Sequence, residues 1–133
     1  MFTIAIKRID SKHPLPSSDI FQVVATKTMI IPSDRAIQYA TGLQLNFPEN
    51  LKIRVENAKK RLLVLSSFLN DDKELILILM NIYHPENCDG TINEGDVIAF
   101  VSFYEYDTAS VRFVEISDKG RMLGGSAEKI YEK

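Results

Sequence analysis

Cysteine is nearly absent from this chain. Cys88 stands alone among 133 residues, which excludes an internal disulfide and fits a reducing compartment. Histidine is almost as scarce, with only His13 and His84. His84 and Cys88 in HPENC would supply two metal ligands, but a structural zinc site takes four, usually in paired clusters, and no second cluster is present. No metal is therefore expected; a solvated loop histidine and a small buried or half-buried cysteine account for the pair. Nor does the sequence place a third group to orient a base for Cys–His nucleophilic catalysis.

An excess of either charge is also lacking. A net charge of −2 gives no electrostatic reason to expect nucleic acid or an anionic membrane as a partner. No apolar run reaches the ~18 residues of a membrane span; the longest, residues 75–80, is strand-sized. The opening MFTIAIKRID alternates and has no long apolar stretch before a small-residue cleavage site, so no signal peptide is expected and the cytoplasm is the default location. Internal repeats and low-complexity linkers are missing as well.

What is present is an ordinary globular composition, 45% hydrophobic and 26% charged, at a length that supports one modest core. Phe2, Ile4 and Ile6 alternate with Thr3, Ala5 and Lys7 as in a half-buried strand. The loop SKHPLPSSD, with two prolines and three serines, cannot continue a sheet. Further strands are expected over 20–24, 28–31, 36–39, the segment TGLQLNFPEN between Gly42 and Pro48, 51–55, 97–106 and 111–116. KELILILMNIY is β-branched and leucine-rich throughout, the pattern of a strand buried on both faces. In NEGDVIAF a Gly-Asp turn runs straight into such a strand. Only ENAKKRLLVL could form a helix, with Asn57 as cap and one or two turns over 58–62. Many short strands separated by turns predict an all-β sandwich or barrel with at most one short helix. The tail DKGRMLGGSAEKIYEK, glycine-containing and charged, is expected to be mobile.

Candidate chemistry is thin. LNDDKE brings Asp71, Asp72 and Glu74 together, and paired carboxylates can act as a general base or hold Mg²⁺ with a phosphate; a charged hairpin loop between strands is the far commoner explanation. Lys59, Lys60 and Arg61 could meet phosphates or form a solvated face. GRMLGGSAE lacks the strand-to-helix context of a phosphate loop. Phe100, Phe103, Tyr104 and Tyr106 are too dense for a ligand stripe and read mostly as core or subunit contacts.

Taken in order, HPLPSSDIFQVVA, IIPSDRAIQYATGLQLNFPENL and LILILMNIYHPENCDGTINEGDVIAFVSF resemble the trimeric dUTPase family, collinearly from residue 2 to 126. Thr41, Gly42 and Leu43 match its Pro-Thr-Gly segment. Asn81, Ile92, Gly95, Asp96, Ile98 and Ala99 match its strand ending in Asn and its Gly-Asp-Arg-Ile-Ala-Gln motif. The resemblance implies a jelly-roll β domain over residues 1–118, a flexible C-terminal arm over 119–133, and a homotrimer with active sites between subunits.

The working residues depart from the family. Its first motif's Asp falls on Gln22 and the aromatic on Val24. Pro-Arg-Ser-Gly-Leu-Ala falls on Asn57, Ala58, Lys59, Lys60, Arg61 and Leu62, removing the phosphate-contacting Arg and Ser. The water-activating Asp aligns with Asn70, no uracil-stacking Tyr is present, and only LVLSSFL remains of the uracil-reading hairpin. Val97 and Phe100 replace the fourth motif's Arg and Gln. Arg121, Gly124 and Gly125 survive from the fifth, without its Phe or its Gly-Ser-Thr-Gly. Losing the base alone removes much of the ~10²–10⁴-fold that general-base catalysis supplies.

Three functions remain open on this reading. One is a non-catalytic relative of viral kind, acting as a protein-interaction or regulatory module in the host cytoplasm or nucleus. The second is a nucleotide sensor or sponge, with Lys59, Lys60, Arg61 and Arg121 on the phosphates and Gly124 and Gly125 beside them. The third is a divergent dUTPase, converting dUTP to dUMP and pyrophosphate with Asp71 or Asp72 as base. No cofactor is expected, and Mg²⁺ only with a bound triphosphate.

Overall fold

The computed structural model describes residues 1–32, 35–59, 62–82, 90–116 and 122–123. Eleven strands appear in it: β1 Phe2–Arg8, β2 Phe21–Val24, β3 Met29–Ile31, β4 Ala36–Asn46, β5 Lys52–Asn57, β6 Leu62–Leu69, β7 Glu74–Asn81, β8 Gly90–Ile92, β9 Val97–Tyr104, β10 Val111–Ile116 and β11 Met122–Leu123. They form a six-stranded sheet in the order β11-β10-β1-β4-β7-β6, a three-stranded sheet β2-β9-β5 and the pair β3-β8. The all-β expectation holds. No helix long and apolar enough to cross a membrane occurs among the described residues.

One apolar cluster joins the sheets. Ile4 and Ile6 from β1, Leu43 and Leu45 from β4, and Leu75, Leu77 and Leu79 from β7 meet Phe21 and Val23 of β2 and Ala99, Val101 and Phe103 of β9. Phe113 of β10 stacks edge-on against Phe21 at 5.3 Å and lies 6.2 Å from Phe103. Such tilted pairs add ~0.5–1.5 kcal/mol to plain burial. The continuous apolar character of β7 has its cause in the topology. It is flanked by β4 and β6, and Leu75, Ile76, Leu77 and Leu79 are all buried.

β4 is long because it runs between two partners and gains the second partway along. Residues 36–40 pair with β7, and Leu43–Asn46 pair with β1, with an irregularity between Ala40 and Gln44. Thr41 and Gly42 make the bend. The Thr41 hydroxyl donates to the Leu75 carbonyl at 2.7 Å. Gly42 has φ +77°, its amide donates to Glu74 Oε2 at 3.0 Å, and its carbonyl accepts from the Ile9 amide at 2.7 Å.

The expected helix over 58–62 does not form. β5 runs on to Asn57, β6 starts at Leu62, and Lys59 bridges Leu62 across the turn. Asn57 Oδ1 accepts from the Val64 amide at 2.7 Å, so it ties two strands and caps no helix. The apolar run LLVL satisfies its backbone by pairing with β7. Apart from Met122–Leu123, which pairs with β10, the expected arm over 119–133 lies outside the described residues.

Gly42 and Gly95 both hold a positive φ, but their surroundings differ. A Cβ on Gly42 would come 3.1 Å from Asp10 Cβ, whereas one on Gly95, at φ +92°, would meet nothing within 4 Å. Gly95→Ala should cost the ~1–2 kcal/mol of a left-handed L-residue. Gly42→Ala should cost more, because Asp10 and its loop must also shift. Urea titration of both variants checks this order; equal losses would contradict it.

Candidate functional site

In β2-β9-β5, Ala99, Val101 and Phe103 point into the core. Strand side chains alternate across the sheet, and Phe100, between Ala99 and Val101, is turned to the outer side, where it is the exposed residue of β9. On that outer side, register places Gln22 of β2, Phe100 of β9 and Glu56 of β5 in one row. Two positions of the resemblance, those aligned with the first motif's Asp and the fourth motif's Gln, are thus direct cross-strand neighbours. Phe100 remains 36% exposed. The row carries one carboxylate and no cation. Farther along, Arg54 lies over the Tyr104 ring, 4.7 Å from its centroid.

The Gly-Asp turn ahead of β9 is a hydrogen-bonded knot. The Gly95 amide donates to the Ala25 carbonyl at 2.8 Å, the Ala25 amide donates back to the Asp96 carbonyl at 2.8 Å, and the Asp96 amide reaches the Asn93 carbonyl at 3.0 Å. Asp96 Oδ2 accepts from the Asn93 amide at 2.9 Å and from Lys59 Nζ at 2.8 Å. The Lys59 ammonium, followed by the Asn93 amide, holds the Asp96 carboxyl below its ordinary value. Lys59, expected as a phosphate contact, is therefore engaged by the turn. Lys60, Arg61, Arg121, Gly124 and Gly125 lie outside the described residues, as do His84 and Cys88.

At the opposite hairpin, Asn70 organises the β6–β7 turn. Its Oδ1 accepts from the Asp72 amide at 3.0 Å and the Glu74 amide at 2.9 Å. Its own amide donates to the Glu74 carbonyl, and its carbonyl accepts from Lys73. Lys73 adopts φ +65° to close the loop. Asp71 and Asp72 are exposed on the rim, while half-buried Glu74 turns back to the Gly42 amide. The three carboxylates therefore do not converge. No group of three His, Cys, Asp or Glu suited to a metal ion occurs among the described residues.

Asn81 is buried, and its Nδ2 donates to the Ile31 carbonyl at 3.3 Å. Of the aromatics read as core or subunit contacts, Phe103 is fully buried and Tyr106 is 93% exposed.

Sequence reasoning assigned no role to His13, which is completely buried. Its Nδ1 lies 2.7 Å from the Pro14 carbonyl, and its Nε2 accepts from the Val24 amide at 3.0 Å. Beyond it, residues 14–18 and 20–22 line a concavity of about 240 Å³. The flanking prolines could have hinted at an ordered loop, but burial of the ring arises only from tertiary packing.

Neither a protein-family profile nor a curated protein sequence matches the chain. Solved structures do. A mutant dUTPase from phage phi11 of S. aureus, described for its coordination of a structural Mg(II) ion, superposes with a TM-score of 0.61 at 11% identity, over 82% of this chain and 94% of that one. A mutant dUTPase of Staphylococcus bacteriophage 80alpha, bound to dUpNHpp, gives 0.59 at 13% identity, over 94% of this chain and 98% of that one. The chain has the dUTPase fold.

The Lys59–Asp96 pair is partly solvated, with side chains 38% and 29% exposed. Its contribution is therefore expected at ~1 kcal/mol or less. Because the carboxyl's native value is depressed, that contribution is present above the ordinary value of 3.8 and fades as the pH falls through the lower, native one. The stability difference between wild type and Asp96→Asn should be flat from pH 7 to 5 and shrink below 4 in denaturant titrations. A difference that grows towards acid would refute the assignment.

Proposed function

We propose that this chain is a non-catalytic protein on the dUTPase scaffold, of bacteriophage or other viral kind, acting as a protein-interaction or regulatory module. The observation that carries the reading is Asn70. The resemblance aligns it with the base that activates water, yet a carboxamide takes no proton from water. Both hydrogen bonds accepted by its Oδ1 close a tight turn. Asp71 and Asp72, the substitutes considered, are exposed on that turn, with no described contact to hold them over a reacting atom.

The outer row agrees with this reading. A polyphosphate site gathers cations and amide donors, and Gln22–Phe100–Glu56 offers an aromatic ring and a carboxylate. An exposed ring among polar neighbours suits a protein partner better. The 80alpha work describes phage dUTPases as controlling transfer of virulence genes, so regulation by this scaffold has a precedent in a protein of the same fold.

The assembly proposed with it is a homotrimer. On the outward side of β4-β7-β6 lie the rows Ala36–Met80–Leu63, Gln38–Ile78–Ser66 and Ala40–Ile76–Phe68, uncharged and with Ile76 already buried; the one charge next to them is half-buried Glu74, paired with Gln44. Sheet faces left to water normally carry polar residues, and an uncharged one favours burial against another subunit.

Purified protein incubated with dUTP and Mg²⁺ should release no pyrophosphate, and Asn70→Asp should not restore release, because the new carboxylate would be held by the same two amides. Turnover near ~1–10 s⁻¹ would overturn the non-catalytic reading. Heat on titration with a nucleotide panel, without hydrolysis, would favour the sensor instead.

Light scattering should give a trimer, and Phe68→Asp should dissociate it. A monomeric wild type at micromolar concentration would exclude the assembly.

A further inference from the structure

The segment between β1 and β2, residues 9–20, has no regular secondary structure, yet it is pinned at both ends. At its far end Asp19 Oδ1 accepts from the Val111 amide at 2.9 Å. Near its start the His13 amide donates to the Asp10 carbonyl at 3.1 Å. Arg8 Nη1 donates to the His13 carbonyl at 2.9 Å. The His13 ring, fully buried, then spans from Pro14 to β2. The concavity formed by residues 14–18 and 20–22 begins immediately after this ring, so its wall stands where His13 puts it.

The two ring contacts define one protonation state. A backbone amide can only donate, so Nε2 must be the unprotonated acceptor towards Val24. A carbonyl can only accept, so the proton sits on Nδ1 and is shared with Pro14. Adding a proton at Nε2 would set two N–H groups against each other 3.0 Å apart, at a fully buried position. The ring would have to leave.

The groups around it do not rescue the cation. Arg8, from β1, faces it with a positive charge and is itself paired with buried Glu115 of β10. Asp10, on the same loop, is the favourable charge, but its carboxyl is taken up by the Lys12 amide and the Thr26 hydroxyl. Lys12 is exposed and pairs with Glu94. Tyr39, from β4, is a buried neutral phenol. Burial first, and Arg8 after the opposing Pro14 bond, holds the His13 ring below its ordinary value.

We infer that His13 is an acid-sensitive latch: neutral, it fastens the loop that walls the 14–22 concavity onto β2, and protonated, it releases that loop while the six-stranded sheet stays folded. The sign follows from linkage. The closed form binds the proton less well than the open one, so closure is fully favoured above the open-state value of 6.5 and lost as the pH falls below it. Between the open-state and closed-state values the opening equilibrium rises up to ~10-fold per pH unit.

Amide exchange by NMR on the intact protein tests this, with protection factors removing the intrinsic pH dependence of exchange. Val24 reports the latch, since its amide is the donor to Nε2. Leu77 and Leu79 report the sheet. From pH 7.5 to 5, protection at Val24 should fall, at up to ~10-fold per pH unit, while Leu77 and Leu79 keep theirs. His13→Gln, which stays neutral, should abolish the fall. Replacing the only other histidine, His84→Gln, should leave it intact. Unchanged protection at Val24 overturns the latch. So does loss of protection at Val24, Leu77 and Leu79 in step, which would mean global unfolding, or a pH response that disappears with His84→Gln. If His13→Gln does not fold, the wild-type and His84→Gln profiles still decide the question.

Discussion

The bend at Thr41–Gly42 is the constraint on which the other parts depend. β4 pairs with β7 over residues 36–40 and again at Gln44–Glu74, and with β1 over Leu43–Asn46; the bend falls where the β7 register is interrupted and the β1 pairing begins. Two segments far apart in sequence close on it. Leu75 accepts the Thr41 hydroxyl, Glu74 accepts the Gly42 amide, and Ile9 donates to the Gly42 carbonyl. The turn that begins β7 and the loop that leaves β1 are therefore anchored at one point. A left-handed residue is needed there, and Asp10 Cβ would stand 3.1 Å from any Cβ. Glycine meets both demands.

Two loops start from that anchor. In the β6–β7 turn Glu74 is drawn to Gly42, and Asn70 closes the rest through its own side chain, so the carboxylates of LNDDKE are spread apart. From β1 the chain leaves Ile9 and Asp10 for the loop held by His13 and Asp19. The outer row Gln22–Phe100–Glu56 is assembled by register alone. Lys59 is drawn off to Asp96. Lys59, Asp96, Asn70 and Glu74 are thus each engaged by a structural partner, and the outer row exposes an aromatic ring between two polar side chains.

Much of the fold was legible in the sequence, because it was written locally. Strict alternation announced β1, continuous apolar character announced β7, and residues 111–116 matched β10 end to end. β6 was not legible. KKRLLVL imitates the start of a helix, and what makes it a strand is the row of unpaired groups on β7, a partner no local window contains. β8 is three residues long and exists only through β3. Of the site, register explains what spacing could not: Gln22 and Phe100 are 78 positions apart in the chain and adjacent in the sheet. The pairing of Lys59 with Asp96 and the burial of His13 are likewise tertiary facts, without a signature in neighbouring residues.

The pattern of what matches the dUTPase family follows from the kind of work each residue does. Thr41, Gly42, Gly95, Asp96 and Asn81 all act on backbone groups: a bend, a turn amide, a carbonyl of the neighbouring β3. Each holds a turn, a bend or a backbone contact between segments of the sheets. Gln22, Asn70, Val97 and Phe100, which the resemblance aligns with catalytic and phosphate positions, sit on an outer row, in a turn and at a strand start, where many side chains are compatible with the same backbone. A scaffold can therefore keep its bends and turns while its outward chemistry changes completely. Selection for folding alone would preserve the first set and leave the second free to serve a different surface.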